Sequence, residues 1–371
     1  MEALNSITVK ISDFDDGILS DDEIIKNAFD FVRNVKNKTV IFDSRDYLIS
    51  KAVLIDSDTT VIIDGITIKQ ADNTFDNVFR GNNAVFDSNY PNGLAVGITD
   101  IKNIKIIGKN NAVISGPNIN RTENGVEMVG DGFGWRTIQV LFAKVSNCEV
   151  CGLNFEKTRC WAMSFEKSDN LLIHDINVVS TCPNGDGVDI RSGCHDAEIY
   201  NISGLTMDDT VACTGIYGAY HENKDGAYPC EISRMLNPKM SPEELSIRNI
   251  KIHDITAIGR YHQVICCSAG GIKVHDISIY NCKADGTADV QLHSLIEMYS
   301  GRYIFFGDYT DDDIYSIRIN NIDNNTYPYV LRIDDKVKDV WANKLIQRRT
   351  DDEIVHLEKE EGVTITNSRK I

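Results

Sequence analysis

Three aspartates stand among residues that are otherwise apolar or small. Asp186 lies in "CPNGDGVDI" (Cys182 to Ile190), and Asp208 and Asp209 are adjacent in "DDTVA" (Asp208 to Ala212). Like charges held together repel, which raises the pKa of at least one carboxyl group. One acid can then stay protonated as a donor while its neighbours remain ionised. Glycoside hydrolysis needs that division between an acid for the leaving oxygen and a base for water. A lone Asp in a repeat more often caps a turn. Asp175, Asp254 and Asp276 fit that plainer description, whereas Asp186 and the Asp208–Asp209 pair do not share their phase.

The phase comes from a repeat. Short alternating strands end at a polar or Gly corner: "NIKIIG", "NCEVCG", "LLIHD", "AEIYN", "NIKIHD", "GIKVHD", "SIRINN". The corners are Gly108, Gly152, Asp175, Asn201, Asp254, Asp276 and Asn321, so spacings of 22 to 26 residues recur, with doubled gaps of 44 and 45. The gap of 53 fits one period plus an insertion at about 220–245 that contains Pro229, Pro238 and Pro242. A fixed period in this range means a solenoid. Strands rich in Val and Ile without long helices between them predict an all-β fold, a single-stranded right-handed parallel β-helix, filled with apolar side chains. Residues 1–371 read as one such domain. An N-terminal helix should cap it: Ser20 and Glu23 form a capping box, and Ile24, Ile25, Ala28, Phe31, Val32 and Val35 make its apolar face. Thr350 and Glu353 could open a second short helix.

In a solenoid, residues of equal phase stack about 4.8 Å apart. Counted from their corners, Arg159, Asp186, the Asp208–Asp209 pair and His262 fall on roughly one face of consecutive coils. Three carboxylates and an imidazole would then share a groove. Asp189 is either a turn ligand or a supporting partner there. Trp161 is either a platform for a sugar face or a core aromatic at a coil edge. Tyr217 and Tyr220 could wall the groove, and the insertion could close one end and impose exo-action.

At these residues the chain resembles glycoside hydrolase family 28, the polygalacturonases and their relatives. "NGDGVDI" (Asn184 to Ile190) is similar to that family's Asn-Thr-Asp-Gly-Ile-Asp segment, with Gly185 in place of Thr, and "DDTVA" to its Asp-Asp-Cys-Ile/Val-Ala segment. The likeness is concentrated in Thr158 to Ala212. It implies inversion through direct attack of water, with Asp208 as general acid, Asp186 and Asp209 holding and activating water, and Asn184 orienting Asp186 or touching substrate. His262, in "YHQ", stands for the family's Gly-His-Gly and would tune Asp208 or hold substrate. The family's basic residues have no counterpart in "CTG" (Cys213 to Gly215) or in "LIEMYSG" (Leu295 to Gly301), where Glu297 stands instead. Arg159, Arg191, Arg260 and Arg302 are candidate replacements. A neutral or differently substituted sugar is therefore open beside galacturonate.

The formal net charge of −17 argues against a nucleic-acid partner, which would need a basic face. No run of 18 apolar residues suggests a membrane span. The start lacks a basic region followed by an apolar one, so a cytoplasmic location is expected. The ten cysteines read as reduced and core-filling. His221, His253 and His275 lack metal-ligand spacing, so no catalytic metal or other cofactor is expected. A polysaccharide lyase and a non-catalytic, carbohydrate-binding or adhesive β-helix are the alternatives to a hydrolase.

Overall fold

The computed structural model describes residues 5–86, 95–130, 137–216, 240–286, 293–300, 312–334 and 336–371. Strand Asp169–Val179 shows how a coil is made. Leu171 and Ile173 point inward by simple alternation, Asp175 then takes φ 54°, and Ile176 and Val178 point inward again. One left-handed residue turns the chain through a corner while keeping both flanks buried. Asp and Asn tolerate that region better than other side chains carrying a Cβ.

Stacked coils pair in parallel and in register. One sheet of 18 strands runs through such corners, and a second of ten strands closes the coil. The result is a right-handed parallel β-helix, the hand that parallel crossovers nearly always take. A single apolar cluster runs from Val9 to Leu345 along its axis. Corner side chains form their own ladders: Asn201 donates to Asp175, and Asn321 donates to Asn281 at 2.8 Å.

The corner phase needs one correction. Asp254 is in register with Asn281, and Asp276 with Asn249. Asp276 therefore belongs to the other corner column, because both columns use Asp or Asn in the same left-handed conformation.

The capping helix spans Asp21–Val32, with Ser20 and Glu23 closing the capping box. Its buried face is Ile24, Ile25, Ala28, Phe29 and Val32. Phe31, expected inside, is 63% exposed and meets Phe14 edge-on, while Val35 lies past the helix end. No C-terminal helix forms at Thr350. The chain turns there through the Arg349–Asp352 ion pair and runs into the strand Val355–Leu357, which extends the ten-stranded sheet. No helix among the described residues is long and apolar enough to cross a membrane. Nine of the ten cysteines lie in the described residues, and all nine are free and buried. Tyr217, Tyr220, His221, Arg302 and most of the expected insertion lie outside them.

Candidate active site

The ten-stranded sheet positions the candidate residues. Met163, Val188, Val211 and Val264 are paired in consecutive coils and point into the core. Two residues before each stand Trp161, Asp186, Asp209 and His262. The parallel pairing already holds there: Ala162 N donates to the Asp186 carbonyl at 2.9 Å, Gly187 N to that of Asp209 at 3.0 Å, and Thr210 N to that of His262 at 3.1 Å. Asp186, Asp209 and His262 thus form one column, which Trp161 rather than Arg159 extends to the preceding coil.

Glycines on both sides hold Asp186 in place. A Cβ on Gly185 would lie 1.7 Å from Ser180 Oγ, and one on Gly187 would lie 2.4 Å from the Thr210 carbonyl. Gly185 is the position where the resembled family has Thr, and this chain leaves no room for it. Asn184 takes φ 50°, which turns the chain into the column. On the next coil but one, Gly259 packs against the carbonyls of Asp208 and His262, and its own carbonyl accepts from the buried Tyr327 hydroxyl at 2.6 Å.

The electrostatic centre is His262. Its Nδ1 lies 2.6 Å from Asp209 Oδ1 and its Nε2 lies 2.8 Å from Glu297 Oε2. All three are buried, with His262 3% and Glu297 1% exposed. Burial alone would lower the His262 pKa, but the facing carboxylates of Asp209 and Glu297 raise it to about 9. Burial would raise that of Glu297, yet hydrogen bonds with His262 and His293 hold it well below the carboxylate range. At neutral pH the centre is an imidazolium between two carboxylates, the state in which both ring nitrogens donate. Ser294 Oγ adds a donor to Glu297 at 3.3 Å, and Arg332 approaches it at 3.8 Å.

Glu297, His293 and Arg332 were not found as a group from sequence. Glu297 marked only a missing base, and its pairing with His262 spans 35 residues. The signal was phase: Glu297 is in register with Ile265, three residues past His262. Arg332 is one coil further, in register with Glu297.

The other expected residues divide. Asp208 is half-buried beside Asp209, with its carbonyl taking the Thr206 hydroxyl at 3.2 Å. Asp189 is fully buried on the outer side of the sheet between Ser164 and Ala212. Trp161 sits in a buried apolar cluster with Leu141 and Cys160, and the Arg191 guanidinium lies 4.9 Å over its ring. That face is covered, so Trp161 offers no open platform there. Arg159 turns its guanidinium to the Pro117 and Thr158 carbonyls. Arg191 stands 3.5 Å from Glu166.

His262, His293 and Glu297 also cluster closely enough to be considered as metal ligands. The 2.8 Å between His262 Nε2 and Glu297 Oε2 is a hydrogen bond, however. Ligands on a tetrahedral zinc ion stand about 3.4 Å apart.

The family model for Glycosyl hydrolases family 28 matches residues 34–219, half of the chain. No curated protein matches. Among solved structures, the chain is similar to a hyperthermoactive exopolygalacturonase from Thermotoga maritima (16% identity, TM-score 0.58, covering 97% of this chain and 92% of that one). It is also similar to a polygalacturonase from Erwinia carotovora ssp. carotovora (15%, 0.50, 100% and 96%). A third is PfbA, a surface adhesin of Streptococcus pneumoniae (13%, 0.53, 98% and 91%). At these identities the likeness is one of fold.

Proposed function

The chain belongs to glycosyl hydrolase family 28 and is a glycoside hydrolase; on that premise we propose that it cleaves an oligo- or polysaccharide with inversion, by direct attack of water. Asp208 is the general acid, and Asp186 and Asp209 hold and deprotonate the water. His262 is the auxiliary group that keeps Asp209 in place. The observation that supports this is the column of Asp186, Asp209 and His262 on consecutive coils, with His262 bonded to Asp209 at 2.6 Å. A carboxylate facing an imidazolium is an acceptor. Proton donation is assigned to the half-buried Asp208, adjacent to Asp209 on the same turn. Asn184, at the turn before Asp186, orients that residue.

The substrate class turns on the cations. Arg191 faces Glu166, and Arg332 faces Glu297 and Glu358 at 3.8 and 3.9 Å. Carboxylates of the protein itself neutralise them, which favours a neutral sugar over galacturonate as the second reading. The deciding experiment is hydrolysis of a panel of acidic and neutral oligosaccharides by wild type and Asp208→Asn. Reducing ends released by wild type and lost in the variant support the hydrolase and name the sugar. Activity indifferent to Asp208 would overturn the assignment. We further propose exo-action through the insertion; unchanged product lengths after deletion of residues 222–244 would refute it.

A further inference from the structure

The 18-stranded sheet carries a second cluster, separate from the strands that hold the aspartates. Glu149 and Cys151 stand two apart on strand Val145–Cys151, so both side chains leave the same face. Cys151 is in register with His174 on the next coil. Lys105 pairs with Glu149 Oε2 at 2.6 Å. That leaves Oε1 facing His174 Nε2 at 3.5 Å and Cys151 Sγ at 3.8 Å. His174 Nδ1 lies 2.7 Å from Asp175 Oδ2. A carboxylate only accepts, so Nδ1 carries a proton toward Asp175, which leaves Nε2 as the ring atom that faces Glu149. Three Lewis-basic atoms converge within 4.8 Å of one another.

These separations discriminate between occupants. Ordinary zinc bond lengths in a tetrahedron put nitrogen and oxygen ligands about 3.4 Å apart, and sulfur and oxygen about 3.6 Å apart. The observed 3.5 Å fits that frame and is long for a hydrogen bond; at 3.8 Å the Cys151 thiol donates to Glu149 Oε1, a proton that a metal ion would displace. The fold supplies its own control. Glu198 and His253 repeat the arrangement further along the sheet, with Asp254 on His253 Nδ1, but Tyr200 stands where Cys151 would. There the Glu–His separation closes to 3.2 Å, a hydrogen bond.

We propose that Glu149, Cys151 and His174 bind a zinc-like divalent cation, with Asp175 orienting His174 and water as the fourth ligand. A carboxylate on the far nitrogen of a ligating histidine is the usual support for such a ligand. The Glu149 and His174 side chains keep 21% and 15% exposure, so an ion can enter from solvent. It would clip the coil of Trp161 to the coil that carries Asp186.

The test uses the full chain stripped with a chelator and titrated with Co2+, followed by Zn2+ in competition. The expected result is a thiolate-to-cobalt charge-transfer band that saturates at one equivalent and is displaced by Zn2+. Cys151→Ser should abolish the band, and Asp175→Asn should weaken binding roughly 10- to 100-fold. Circular dichroism checks that each variant is folded. If Cys151→Ser fails that check, His174→Asn takes its place with the same expectation. No band from wild type, or a band that survives in the folded variant, would overturn the site. Hydrolysis by the stripped protein, assayed in parallel, tests the glycosidase assignment separately.

Discussion

Burial would strip the proton from His262, and Asp209 and Glu297 keep it there. The sign of the pH dependence follows. A histidine whose pKa rises from 6.5 to about 9 on folding contributes stability that is full below 6.5 and is lost as pH climbs through 9. Glu297 is shifted the other way, so its contribution is full above its ordinary value of 4.5 and fades as pH falls. The triad should therefore stabilise most between about 4.5 and 6.5. Glu297→Gln removes one of the two carboxylates, so the alkaline limb of kcat/KM should move toward lower pH and unfolding should cost about 3 kcal/mol less. A pH profile and a urea titration of this variant check both. An alkaline limb that stays in place would show that His262 does not govern it. Asp208→Asn should lower kcat on the order of 100- to 10,000-fold with the fold intact, measured by reducing-end release. The aspartates were legible because carboxylates in an apolar run have few structural uses. Glu297 was not, because its meaning depends on a partner one coil away.

Corners and turns decide whether such partners meet. Both corner columns use Asp or Asn at positive φ, and a short motif ending in Asp does not say which column it serves; that is why Asp276 was misphased by five residues from Asn281. The helix face erred for a related reason. Phe29 and Phe31 lie on opposite sides of a 3.6-residue turn, and only packing against Phe42 selects Phe29. Gly185 is a sharper case, where a departure from the family's Thr is explained by Ser180 standing in the space. Gly185→Thr should overpack this turn and destabilise by about 1–3 kcal/mol, with a larger proportional loss of kcat as Asp186 is displaced. Thermal unfolding and kinetics on the same preparation separate the two effects. A variant as stable and active as wild type would mean that the turn before Asp186 yields freely.

The whole chain carries a formal charge of −17, and that field acts on any substrate before the groove does. An acidic oligosaccharide approaches against it, whereas a neutral one does not feel it. Screening lengths fall from about 30 Å at 0.01 M salt to about 8 Å at 0.15 M. For a uronate chain, kcat/KM should rise over that range as repulsion is screened. For a neutral chain it should stay flat. Two of the candidate cations do not reverse this expectation, since Arg191 and Arg332 each face carboxylates of the protein. Only a groove whose arginines turned from Glu166 and Glu297 to the substrate would give the opposite slope, with kcat/KM falling as salt weakens the new ion pairs. A salt series on one acidic and one neutral substrate thus reads out how the arginines are used as well as which sugar is preferred. A falling slope on the acidic chain, abolished by Arg332→Gln, would assign the groove to uronates and discard the neutral-sugar reading.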